Sequence, residues 1–162
     1  MSNALKELYS KIIGHPDFKE EGYLAHFFGN LRDDFKLEGS WQVGFYSSDE
    51  DLVVTYQING KDLVVDKGRP FRKEYKQIEK LDLDLVTFTF DEMVKKVKGL
   101  QRERYHGQEP MKVIVLLQAL NGRARWNVTL ITPTFNTLNI KIDATSGEVI
   151  SHELSSLLHW EK

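Results

Sequence analysis

At 162 residues the chain is 41% apolar and 28% charged, with 22 Lys and Arg against 24 Asp and Glu and no cysteine. The missing thiols exclude a disulfide scaffold, a zinc ribbon, an iron–sulfur site and a thiol nucleophile. A formal net charge of −2 supplies no global field for recruiting nucleic acid or an anionic bilayer, and the length predicts one domain or two small ones with a core large enough to fold unaided.

The first segment, Leu5 to Ile13, places Leu5, Leu8, Tyr9, Ile12 and Ile13 at helical spacing, with Gly14 as a stop. Lys6, Glu7 and Lys11 interrupt it, so it is no secretory signal. The longest apolar run of the whole chain, Val113 to Leu117, is far short of the ~20 residues a membrane helix needs. A cytoplasmic protein with no membrane association is therefore expected, although Ser2-Asn3-Ala4 has the form of a tag-cleavage scar and leaves an export signal open.

His15-Pro16-Asp17 reads as a new helix start, because Pro suits the first helical position and Asp17, Glu20 and Glu21 suit a helix N-terminus. Phe18, Leu24, Phe27, Phe28 and Leu31 would supply its buried face. From Ser40 the period changes to two. Trp41, Val43 and Phe45 open a strand, Leu52 to Ile58 forms a second ending in Asn59-Gly60, and Leu63 to Val65 a third. Asp66 to Leu85 reads as a connection with a short helix from Arg72 to Leu81.

Thr89 and Glu92 then form a capping box, with Phe88 and Met93 placed as its hydrophobic staple. Phe90, Met93, Val94, Val97 and Leu100 make the stripe of a helix. Met111 to Leu120 and Arg125 to Ile131 flank the turn pair Asn121-Gly122 as a hairpin. Leu138, Ile140 and Ile142 alternate as a further strand, and Ala144 to Gly147 turns into Glu148 to Leu154. Leu157, Leu158 and Trp160 are expected to dock the tail on the body.

The halves rhyme: Trp41-Gln-Val43 and Trp126-Asn-Val128 lie 85 residues apart, and each opens a strand followed by a meander. The second half carries an extra strand, Met111 to Leu120, with no counterpart before Trp41. The expected fold is α+β, helices packed on antiparallel sheet in two helix-plus-meander units in tandem, residues 1–85 and 86–162.

The second unit also resembles the PepSY domain. The resemblance rests on Trp126, Val128, Ile140, Ile142, Asp143, Gly147, Glu148 and Val149, which match a signature close to W-x-V … V-x-V-D-x-x-T-G-x-V, and it covers residues 90–154. Here Thr145-Ser146 stands where a Thr normally precedes the Gly. The resemblance implies a cystatin-like helix-on-sheet fold and a non-catalytic role in binding or restraining a protein or peptide partner, and no catalytic residue transfers. Physically, Asp143 suits a turn as an acceptor of backbone amides, and Gly147 as a residue free to take positive φ.

Chemistry has few anchors. His15, His26, His106, His152 and His159 lack metal-site spacing, the clusters Asp49-Glu50-Asp51 and Asp82-x-Asp84 lack the pattern of a calcium loop, and no phosphate loop or nucleophile elbow is present. Between Lys67 and Arg104, eleven Lys or Arg face seven acidic residues, too sparse for a nucleic-acid groove. The sequon Asn127-Val-Thr129 falls in an expected strand. The reading is a non-enzymatic, partner-binding protein without cofactor or metal. Its candidate pocket or partner-binding residues are Trp41, Trp126, Arg104, Tyr105 and His106. The alternative is a small-molecule-binding or catalytic cone, like the nuclear-transport-factor relatives of this shape, with a pocket between helix and sheet lined by Trp41, Trp126 and His106.

Overall fold

The computed structural model describes residues 4–70 and 77–158. Eight strands form one antiparallel sheet in the spatial order β4-β3-β2-β1-β5-β6-β7-β8. Helix α1 (Ala4–Ile13) precedes β1 (Tyr23–Leu31), β2 (Leu37–Ser47), β3 (Leu52–Asn59) and β4 (Asp62–Gly68). Helix α2 (Phe90–Arg104) precedes β5 (Lys112–Leu120), β6 (Arg123–Ile131), β7 (Asn136–Asp143) and β8 (Val149–Ser156). Each helix is thus followed by a four-stranded meander. The two meanders join along β1 and β5, with Phe27 opposite Leu117, Gly29 opposite Val115 and Leu31 opposite Val113.

Period-two alternation makes one face of this sheet the core. Val43, Phe45, Val54 and Tyr56 from the first meander lie buried with Val113, Val115, Leu117, Trp126, Val128, Leu130, Leu138, Ile140 and Ile142 from the second. Leu5 and Ile12 of α1 and Met93 and Val97 of α2 are buried with them. Phe28, Ile114, Leu116, Asn127, Thr129, Asn139 and Lys141 point the other way and stay half-exposed.

The main departure from expectation lies between His15 and Leu31, where the structure has a turn and then a strand rather than a helix. Two bulges cause the ambiguity: the pairing of β1 with β2 slips between Leu24 and His26 and between Phe28 and Asn30. Leu24 and Ala25 are consequently buried side by side, and the apolar spacing imitates a helical one. At the strand's entry Gly22 has φ +74°, and a Cβ there would lie 1.9 Å from the Tyr46 carbonyl oxygen, so backbone meets backbone. β1 is therefore the counterpart of β5 that the sequence did not reveal, and the first meander has four strands rather than three.

His15 does not start a helix but ties α1 to the β3–β4 turn. Its Nδ1 accepts the Asp17 amide at 3.0 Å, which leaves Nε2–H to donate to the Lys61 carbonyl at 2.9 Å. The β3–β4 turn centres on Gly60-Lys61, one residue beyond the expected pair, since Asn59 pairs with Asp62. Part of the expected helix from Arg72 to Leu81 lies outside the described residues. Residues 77–82 are not helical, and only a single 3₁₀ turn forms at Leu83–Leu85. In the tail Leu157 and Leu158 are 48% and 67% exposed and are not docked, while Trp160 lies outside the described residues.

The second half follows its sequence closely. Thr89 accepts the Glu92 amide at 3.2 Å and Glu92 accepts the Thr89 amide at 3.0 Å, completing the capping box. Asn121 and Gly122 take φ +54° and +76°, a two-residue turn of the kind that suits the twist of a hairpin.

Two glycines give a graded test of this backbone. Gly122 and Gly147 both have positive φ, but a Cβ on Gly122 meets open space whereas one on Gly147 lies 2.6 Å from the Phe88 ring. Gly122→Ala should cost about 1 kcal/mol, the left-handed penalty alone. Gly147→Ala should cost about 1–3 kcal/mol more through overpacking, as measured by urea unfolding.

Candidate functional site

An aromatic contact organises the middle of the molecule. The Phe90 ring lies 5.6 Å from that of Trp41, at an interplanar angle of 88°, and 6.1 Å from that of Trp126, at 65°. Each arrangement sets a ring edge against a face, the favoured geometry. Trp41 has room because Gly29 carries no side chain: a Cβ there would stand 2.7 Å from the indole. Trp126 is fully buried, and its Nε1–H donates to the Phe88 carbonyl at 3.0 Å.

The β7–β8 turn sets the position of Phe90. The amides of Thr87 and Phe88 both donate to the Ala144 carbonyl, the Thr87 hydroxyl donates to the Thr145 carbonyl, and the Thr145 hydroxyl donates to the Leu85 carbonyl. Asp143 shapes that turn by accepting the amides of Thr145 at 2.8 Å and Ser146 at 3.0 Å. The Ser146 amide contributes most to holding the Asp143 carboxyl below the usual carboxylate range, with Thr145 and the nearby Arg123 adding to it against the cost of burial. Gly147 closes the loop with φ +79°. Trp126, Asp143 and Gly147 thus have a structural task here, which is to position the start of α2.

The two tryptophans expected to line a pocket do come together, but Phe90 occupies the space between them. Beside Trp126 remains a cavity of about 30 Å³, bordered by Leu5, Leu83, Val86 and Phe90, large enough for a water molecule and little more. Arg104, Tyr105 and His106 lie elsewhere, at the far end of the fifteen-residue α2, roughly 20 Å along its axis. Arg104 and His106 are exposed. Tyr105 is half-buried, and its hydroxyl pairs with His152 Nδ1 on β8 at 2.6 Å.

A larger concavity lies between α1, the start of β1 and residues 80–84, with a volume of about 990 Å³. Leu24, Phe45 and Leu81 lie buried at its floor, and Tyr9, Phe18 and Tyr23 are half-buried around it. Phe18 packs edge-on to Phe45 at 5.3 Å, and Tyr9 stacks on Phe45 at 6.1 Å. Lys6, Glu20, Lys80, Asp82 and Asp84 set charges of both signs along the rim, where Lys6 pairs with Asp84 at 2.7 Å. The crossover forming one wall is anchored at several points: the Tyr23 hydroxyl donates to the Ile78 carbonyl, the Leu81 amide donates to the Leu24 carbonyl, and Glu79 accepts the amides of Asn121 and Gly122 at 2.7 and 2.8 Å.

Sequence reasoning missed this groove, because Tyr9, Phe18, Tyr23 and Phe45 converge only once Tyr23 stands on a strand. Its one sequence-level trace is the aromatic density before residue 46. Among the described residues no three His, Asp or Glu side chains gather to hold a metal ion, and no helix is long and apolar enough to cross a membrane. His26 lies on the open face of the sheet, its ring seated over Gly44, and burial pushes its imidazole below the ordinary value.

No family model matches the chain, and no curated protein matches it. Among solved structures it is similar to a putative lipoprotein from Clostridium difficile 630, with a TM-score of 0.55 and 17% sequence identity, over 94% of this chain and 89% of that one. At that identity the likeness shows the fold alone.

Two predictions follow the geometry. Phe90→Ala should destabilise the protein by about 2–3 kcal/mol, somewhat under the usual cost of a fully buried Phe, read by urea unfolding. Asp143 has a folded-state pKa below the ordinary 3.8. Its stabilisation is therefore complete above about pH 4 and is lost as the pH falls through the lowered value. Asp143→Ala should cost about 1–3 kcal/mol at pH 7 by orphaning two turn amides, and its stability should fall less steeply than the native protein's below pH 4.

Proposed function

We propose that this is a non-enzymatic, PepSY-like protein of two helix-plus-meander units in tandem, which binds or restrains a protein or peptide partner. The observation that carries the reading is the aromatic-floored groove beside α1. It is open to solvent, and its rim charges suit an extended segment that buries apolar side chains while its backbone stays near polar groups. The tandem relationship is supported by the recurrence of helix and four-stranded meander, and by two pairs at the same separation of 85 positions: Trp41 with Trp126, and Gly22 with Gly107, both glycines at positive φ. The alternative cone, with a ligand held between Trp41 and Trp126, has only the water-sized cavity to draw on.

A random peptide display library selected on the immobilised protein tests the reading. Enriched peptides should shift the amide resonances of Tyr9, Ile13, Phe18 and Tyr23, and Ile13→Glu, on the groove's exposed rim, should weaken them at least about tenfold. Failure to enrich any peptide, or enriched peptides whose shifts fall outside the groove, would contradict the proposal.

A further inference from the structure

The two edges of the sheet differ. β4, at one end, carries Asp62, Asp66 and Lys67 within seven residues, charges of the kind that discourage edge-to-edge pairing. β8, at the other, reads Val-Ile-Ser-His-Glu-Leu-Ser-Ser, with one carboxylate, no lysine and no proline. Among the described residues β8 pairs with β7 alone. Exposed apolar side chains stand on both edges, Val64 at 45% and Val65 at 43% on β4, but more of them collect at the β8 end: Ile150 43%, Leu154 40% and Leu157 48%, with Phe135 at 50% beside them, where its carbonyl accepts the Leu157 amide.

We propose that β8 is a self-association surface, on which a second copy of this chain adds its own β8 antiparallel across a twofold axis and joins the two sheets edge to edge. The sequence of the strand selects both partner and register. Residues opposite each other in an antiparallel pair share a face of the sheet. On the helix face stand His152 and Leu154, opposite Ile140 and Leu138 of β7, and on the open face stand Ser151, Glu153 and Ser155.

An axis centred on Leu154 sets Leu154 against its own copy, Glu153 against Ser155, and His152 against Ser156. Every contact is then apolar or complementary, and each recurs by symmetry, as a twofold interface requires. Centring on Glu153 would oppose two carboxylates. Centring on His152 would draw in the irregularity where Val149 and Ser151 flank the unpaired Ile150 opposite β7. Leu154 adjoins the fully buried Leu138, so pairing at this point extends the existing core. The Tyr105–His152 hydrogen bond holds the strand against the end of α2 in a form ready to receive it. The proposal is independent of the groove, which lies in the other half of the molecule.

Sedimentation equilibrium of the full chain at concentrations up to about 0.1 mM tests it by mass action. The native protein should be dimeric. Leu154→Lys should raise the dimer dissociation constant at least about tenfold, with an unchanged far-UV circular dichroism spectrum, whereas Val64→Lys on the β4 edge should leave it unaltered. Because the chain has no cysteine, register can be read directly: Leu154→Cys should cross-link to its own copy under mild oxidation, and Glu153→Cys should not. A monomer throughout the range, a dimer indifferent to Leu154→Lys, dissociation by Val64→Lys, or equal cross-linking of the two cysteine variants would each overturn the proposal.

Discussion

The contact of Phe90 with Trp41 and Trp126 is the constraint on which the arrangement depends. It joins three parts of the chain: a strand of the first meander, a strand of the second and the first turn of the helix between them. Trp41, on the first meander, reaches Phe90 because β1 and β5 are paired, and Gly29 opens the space on that pair for its ring. Hydrogen bonding and packing therefore enforce each other at one place. The seam shares a continuous buried surface with both meanders, so the two halves should unfold as a single cooperative body.

The same constraint explains why the space beside Trp126 shrinks to a water-sized cavity and why a groove opens to one side. Filling the space over the β1–β5 seam with three large rings leaves it solid. The crossover that delivers Phe90 runs past α1 on its way and is pinned at Leu24 and at the Asn121-Gly122 turn. What it does not cover becomes the groove floored by Phe45, Leu24 and Leu81. The candidate binding surface is thus a by-product of how the two halves are clasped.

Much of the second half was legible in its sequence because local chemistry and tertiary structure agree there. Thr89 and Glu92 cap the helix they announce, Asn121-Gly122 turns where its φ angles allow, and Asp143 and Gly147 build the turn their types suggest. The first half was misread where tertiary pairing overrode local pattern. Bulges in β1 put Leu24 and Ala25 on the buried side together, and His15-Pro16-Asp17, chemically suited to a helix start, ties down a distant turn instead. The candidate residues divided for the same reason. Trp41 and Trp126 met, because strands of opposite halves converge at the seam. Arg104, Tyr105 and His106 ended a helix length away, because adjacency on α2 says nothing about which end of the sheet they reach.

The direct test of this account is equilibrium unfolding in urea of the Trp160→Phe variant, followed in parallel by tryptophan fluorescence, which then reports on Trp41 and Trp126 at the seam alone, and by far-UV circular dichroism, which reports on all eight strands. If the Phe90 contact and the β1–β5 pairing bind the halves into one body, the two signals should trace a single coincident transition. Two separated transitions, with fluorescence lost while a large part of the β signal persists, would show that the halves are independent and that the seam does not hold them together.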